Sequence, residues 1–338
     1  MRSGRGRLYL TAPVLKANRM PSPGDWDLFR RQHETLAADG VTVAEHEPLA
    51  SHTTLRIGGP ARVLLGCGRR EGVVAALRAV REAGIPWLVL GLGANVLVPD
   101  EGLDAAVLTL VGELASISRE GARIRAGGGA QLARVVRESV SAGLAGVECL
   151  GGIPSTLGGA LAMNAGAYGQ EILDVLGWAE VVEEDGTVRR LERWEVEEGY
   201  RWSVLSKGRI VTLAELALRA EDPEVLRAHV QQAREHRQRA IPKEPSAGSV
   251  FRNPAGDYAG RLLELAGCKG LRRGRAEVSQ LHANVIVNTG GARAADVRAL
   301  VAEMAARVHE RFGIRLELEL KILDGTGGVL ADPQAPLA

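Results

Sequence analysis

Hydrophobic positions recur along the chain with two periods, and the switches between them outline its elements. From Glu71 to Ala83, Val73, Val74, Leu77 and Val80 fall on one helical face, with Gly84 just past the end. The apolar runs Arg62–Gly66 before it and Trp87–Leu90 after it complete a β-α-β unit, which predicts a parallel strand pair. Residues 105–126 alternate like strands, and Gln131–Ala142 reads as a helix. Residues 175–190 read as a hairpin turning at Asp185-Gly186, and 209–219 as a further strand. Asp25–Ala38 reads as one helix carrying Trp26, Phe29 and Leu36, whereas 41–60 is polar and ends in the turn Gly58-Gly59-Pro60. Asp222-Pro223 supplies an N-cap and a first helical residue for a polar helix over 223–239. Asp296–Phe312 is amphipathic on Val297, Leu300, Val301, Met304 and Val308, and Gly313 stops it. Ile314–Leu323 then alternates: Ile314, Leu316, Leu318, Leu320 and Ile322 on one face, Arg315, Glu317, Glu319 and Lys321 on the other.

The pattern predicts an α+β protein, and 338 residues suffice for two or three packed units. A net charge of +1 disfavours a broad nucleic-acid surface. Cys67, Cys149 and Cys268 lie far apart and the histidines form no HExxH cluster, so a reduced cytoplasmic setting without a metal site is expected. No apolar run approaches the roughly 18–20 residues needed to cross a bilayer, so no membrane partner is expected. Residues 1–19 are basic with only a short apolar stretch; they are expected to be a disordered extension, with Met20 as the native start.

Three stretches could carry chemistry. Gly91-Leu92-Gly93-Ala94-Asn95 follows a buried strand but is neither a Rossmann fingerprint nor a P-loop; it is a plain turn or an anion nest. The block GGIPSTLGGALAMNAGAYG (151–169) is either a tight backbone crossing or a bed for an extended cofactor. Two such stretches suggest a dinucleotide held without a Rossmann motif. In PSAGSVFRNP (245–254), Ser249 lacks the GxSxG context of a hydrolase, leaving a proton donor or a turn cap. Taken alone, Arg201 is a carboxylate clamp or a cover for apolar surface, and Glu319 belongs to a solvated face. Arg272, Arg273 and Arg275 form a basic loop.

In order and spacing, TTLRIGGPA (53–61), GLGANVLV (91–98), GGIPSTLGGALAMNAGAYG (151–169), YRWS (200–203), PSAGSVFRNP (245–254) and AGCKG…AEVSQLHANVIVN (266–288) resemble the UDP-N-acetylenolpyruvoylglucosamine reductases. The resemblance runs from about Thr53 to Asp324. It implies a two-subdomain FAD-binding fold of the vanillyl-alcohol oxidase type plus a C-terminal α+β substrate domain. The corresponding division is an extension and helix (1–40), FAD subdomains (41–104 and 105–220), a substrate domain (221–325) and a flexible tail (326–338).

The resemblance further implies non-covalent FAD, NADPH as co-substrate and a UDP-sugar substrate, in a cytoplasmic monomer of peptidoglycan precursor synthesis. Gly91, Leu92, Gly93, Ala94, Asn95, Val96 and Leu97 would wrap the FAD pyrophosphate. Gly152, Ile153, Pro154, Gly158, Gly159, Asn164, Gly166 and Ala167 would line the rest of the cofactor. Arg201 and Glu319 would stabilise an enolate, and Ser249 would deliver a proton to it. Tyr168, Asn253 and His282 would meet substrate, with Lys243 or the Arg272 loop at its diphosphate. The 48 positions between Arg201 and Ser249 imply the shorter subtype, without a tyrosine loop over the cleft. A flavin oxidase of the same fold, or a non-catalytic FAD-binding protein, would share the glycine stretches without needing Arg201, Ser249 and Glu319 together.

Overall fold

A computed structural model describes residues 20–330; the expectations for residues 1–19 and for the end of the tail lie outside them. The N-terminal helix is two helices, α1 (Pro23–Arg30) and α2 (His33–Ala38), not one. Ser22 caps α1 reciprocally with Asp25, and Trp26 and Phe29 are buried. The polar stretch after it contains a strand, β1 (Val41–Pro48), which sequence periodicity did not show. Its burial is one-sided and incomplete because it lies at a sheet edge.

The first sheet adds β2 (Pro60–Cys67), β3 (Trp87–Val89) and β4 (Leu103–Leu110) in the order β1-β2-β4-β3. Helix α3 (Arg70–Glu82) links β2 to β3 and buries Val73, Leu77 and Val80 against this sheet. The strands flanking α3 are not direct neighbours, as the β-α-β reading suggested: β4 inserts between them, parallel to both.

The second sheet, of antiparallel strands, comprises β5 (Ile117–Glu120), β6 (Arg123–Gly127), β7 (Leu176–Glu183), β8 (Val188–Glu192) and β9 (Arg209–Ala217), in the order β8-β7-β9-β6-β5. Helices α4 (Leu132–Ser141) and α5 (Leu157–Ala162) pack on it through Val135, Val136, Leu157 and Leu161. Helix α6 (Pro223–Ala240) begins at the Asp222 cap as expected. It rests beside α4, however, and contributes nothing to the C-terminal core; its one buried residue is Leu226.

That last core is built by β10 (Ser246–Ser249), α7 (Ala259–Leu265), β11 (Arg272–Arg273), β12 (Ala276–Val278), β13 (Val285–Asn288) and α8 (Ala294–Phe312). Gly313 ends α8 with φ 69°, the left-handed cap conformation that glycine adopts without strain. Leu55, Ile57 and Leu97 of the first unit complete the same core, so the C-terminal unit is welded to the region around the first glycine loop. Among the described residues, no helix is long and apolar enough to cross a membrane, and no group of His, Cys, Asp and Glu is disposed to hold a metal.

Candidate active site

Glu198–Gly199 and Trp202–Ser203 pair about a two-residue turn, Tyr200-Arg201. Arg201 holds φ 61°, a left-handed conformation costing a non-glycine residue about 1–2 kcal/mol. The hairpin is fixed from below: the buried Ser203 hydroxyl donates to the Leu161 carbonyl (2.7 Å) at the end of α5. Held this way, Arg201 Nε donates to Glu319 Oε1 at 3.0 Å, and its guanidinium carbon lies 5.1 Å from the Tyr200 ring centroid.

The segment carrying Glu319 departs from the regular strand the alternation predicted. Only Lys321–Ile322 form a ladder, parallel to Val96–Leu97, and Leu318 makes a single bridge to Phe251. Val250 O accepts from both Glu319 N–H (2.9 Å) and Leu320 N–H (3.1 Å), a bulged contact beyond which Glu319 and Lys321 are drawn in while Arg315 and Glu317 stay exposed. Asn95 Nδ2 donates to Glu319 O (3.1 Å), and Lys321 N–H donates to Asn95 O (3.1 Å). The Glu319 side chain is consequently only 15% exposed. Burial pushes its carboxyl pKa up, against the lowering pull of Arg201 and Arg252. Burial, reinforced by the Arg252 charge, pulls the Lys321 amine down to about 7.

Ser249 ends β10 opposite Val285, directly before the Val250 carbonyl that grips Glu319. Among the described residues its hydroxyl has no hydrogen-bond partner, so it is not a turn cap. Arg201, Ser249 and Glu319, more than 100 positions apart at the extremes, are therefore brought to one locality by α5, β10 and the first glycine loop.

The other candidates are placed less centrally. Asn253 Oδ1 accepts from Ala259 N–H (3.0 Å) at the start of α7. His282 Nδ1 accepts from Asn284 N–H (3.2 Å), its ring lies against Gly260, and burial lowers its pKa. The Tyr168 hydroxyl donates to Ala233 O (3.3 Å) beside His236, so Tyr168 faces α6. With Gly151, Gly152, Ala167, Arg237 and Lys243 it lines a cavity of about 640 Å³ between α4 and α6; none of Arg201, Ser249 and Glu319 lines it. Arg272 pairs with Glu277 and Arg273 with Glu303, so that loop is occupied by its own acids.

The two glycine stretches meet. A Cβ at Gly91 would stand 2.7 Å from Thr156 Oγ1, and at Gly93 (φ 60°) it would overlap the backbone of His52 and Thr53. Close backbone crossing and ligand cradle thus coexist here. Among the described residues, none accepts from the N–H groups of Leu92, Gly93 and Ala94, the arrangement of an anion nest. In the second stretch Asn164 is 1% exposed with φ 43°; Nδ2 donates to Glu171 (2.6 Å) while Oδ1 has no partner. An orphaned buried acceptor costs about 1–3 kcal/mol unless a ligand donates to it. These residues fit a dinucleotide. The run Gly127-Gly128-Gly129 was not singled out from the sequence; it lets Gly158 N–H reach Gly128 O at 2.8 Å, closing α5 onto the second sheet. Three consecutive glycines were its signal.

Two sheet-based units with a glycine cradle between them, and a third unit carrying Ser249 and Glu319, define an FAD-dependent oxidoreductase: residues 61–192 match the model described as FAD binding domain. Residues 240–323 match the model described as UDP-N-acetylenolpyruvoylglucosamine reductase, C-terminal domain. The UDP-N-acetylenolpyruvoylglucosamine reductase of Syntrophotalea carbinolica is 45% identical over 82% of this chain and 93% of its own length. That of Bacillus velezensis is 40% identical over 84% and 94%. The crystal structure of the reductase from Thermus caldophilus superposes with a TM-score of 0.72 at 39% identity, covering 83% of this chain and 98% of that one. The chain belongs to the UDP-N-acetylenolpyruvoylglucosamine reductase family.

Proposed function

We propose that this chain reduces UDP-N-acetylglucosamine enolpyruvate to UDP-N-acetylmuramate with FAD and NADPH, a step in peptidoglycan precursor synthesis. The observation that carries this reading is the Arg201–Glu319 pair meeting the strand of Ser249, whose hydroxyl has no other task. Bound FAD supplies the hydride for the enolpyruvyl alkene. The amides of Leu92–Ala94 suit its diphosphate, and Asn164 Oδ1 suits a donor on its buried part. The flavin is held non-covalently; His52 is engaged with Glu47 at 2.8 Å.

Addition of hydride to the terminal carbon leaves negative charge on the carbon next to the substrate carboxylate. Arg201, oriented by Glu319 and by its own turn, stabilises that charge from a site already largely closed to water. Ser249 Oγ gives its proton to the same carbon. Tyr168, Asn253 and His282 remain candidates for holding the rest of the substrate. The division into two FAD subdomains and a substrate domain, the shorter subtype, the cytoplasmic setting and the monomeric state belong to the same reading.

Steady-state and single-turnover assays of Ser249→Ala test it. Flavin reduction by NADPH should persist while product formation falls ~10²–10⁴-fold. Near-normal turnover rejects the role of Ser249. Oxidation of NADPH by O₂ without any response to enolpyruvyl substrate favours an oxidase, and acid precipitation should release the flavin from the polypeptide.

A further inference from the structure

Arg252 has no role in the reading so far. Among the described residues it makes no side-chain hydrogen bond or ion pair, and its Nε is buried without a partner. Arg252 as a whole is half-buried, but a buried N–H left without an acceptor is costly, and on a guanidinium the matching acceptor is normally an anion. Its place is fixed by backbone: Arg252 N–H donates to Glu317 O (2.8 Å) and Phe251 bridges Leu318. That register sets Arg252 diagonally across from Glu319, within the span of long side chains. Its charge acts on Glu319 and Lys321 alike.

The local charges then leave a surplus. Arg201 is neutralised by Glu319 at 3.0 Å, and the Glu317 carboxylate is exposed and makes no ion pair with Arg252. Arg252 remains as a positive group at the same corner. The reaction presents the complementary demand. The enolpyruvyl carboxylate carries one negative charge at rest, and the carbanion conjugated with it carries a second. One guanidinium already bound to a glutamate matches only part of that.

We propose that Arg252 is a second cationic anchor of the active site, binding the carboxylate of the enolpyruvyl group as charge builds on it. This rests on the function proposed above and adds a catalytic residue to it. Arg201 then faces the enolate carbon from the Glu319 side, and Arg252 holds the carboxylate from the Ser249 strand.

The test compares Arg252→Gln, which keeps most of the length and removes the charge, with Arg252→Lys, which restores charge without the fork. Two ligands are titrated into each oxidised holoenzyme and followed by perturbation of the flavin spectrum: UDP-N-acetylmuramate, which carries the lactyl carboxylate, and UDP-N-acetylglucosamine, which does not. Wild type should prefer the first. Arg252→Gln should lose about 10–100-fold of that preference, the scale of a charge-assisted hydrogen bond, while its affinity for UDP-N-acetylglucosamine and its flavin reduction by NADPH hold within about two-fold. Arg252→Lys should recover part of it. An unchanged preference, or an equal loss for both ligands, overturns the assignment. If Arg252→Gln fails to retain flavin, Arg252→Lys decides: a weakened preference supports the anchor and an intact one overturns it. A wild-type protein that neither discriminates the ligands nor turns over the enolpyruvyl substrate would instead sink the functional reading.

Discussion

At the scale of single residues, Lys321 shows how far an environment departs from a pattern. The alternation placed it on a solvated face, yet it lies within reach of the Arg252 charge with its amine, chiefly through burial, pulled down to about 7. In the unfolded chain the same amine keeps its proton until about pH 10.4. Between about pH 7 and that value the unfolded state binds more protons, so this group makes stability rise with pH across that window. Lys321→Met should flatten the rise, and urea denaturation at pH 6.5, 8 and 9.5 measures it. An identical pH slope in the two proteins would mean that Lys321 stays charged when folded. The alternation alone put Glu319 on a solvated face for the same reason, and only the motif resemblance assigned it a role: alternation tells which side a residue is on, but not what another unit will lay over that side.

Among the elements, those that bury a whole face were readable. Helix α8 could be read from its apolar spacing and Gly313 because six of its residues enter one core. Helix α6 and strand β1 gave weaker signals for a physical cause: each touches the molecule along a narrow line, leaving most side chains in water. The glycine loop at 91–95 was readable as a special backbone but not as a contact. Its requirement is local and steep, since a Cβ at Gly91 meets Thr156 Oγ1 at 2.7 Å. We expect Gly91→Ala to separate the two glycine stretches, lowering flavin content of the purified protein and destabilising it by about 1–3 kcal/mol, the scale of overpacking. Full flavin occupancy with an unchanged melting temperature would show that Thr156 simply rotates aside.

For the molecule as a whole, the site exists only where separately folded cores meet. Motif order in the sequence could list its members; the ties that hold them in register needed coordinates. Thr54 Oγ1 donates to Ser246 O (2.7 Å), three residues before Ser249, and Asn288 Nδ2 donates to Leu55 O (3.0 Å). Asp100 accepts from Ala294 N–H (2.8 Å) and Ala295 N–H (3.2 Å), so a carboxylate of the first unit caps α8 of the last. Arg201, by contrast, is carried by the second unit and reaches Glu319 across the gap. Loosening the first set of ties should therefore blur the position of Ser249 and Glu319 relative to Arg201 without touching any of them. Thr54→Val keeps the side-chain shape and deletes one tie. It should cost about 1 kcal/mol in denaturation, leave flavin content intact, and slow reoxidation of the flavin by enolpyruvyl substrate more than its reduction by NADPH. Equal slowing of both half-reactions would place the effect of Thr54 in the cofactor cradle, through its neighbour Gly93, and not in the alignment of the three units.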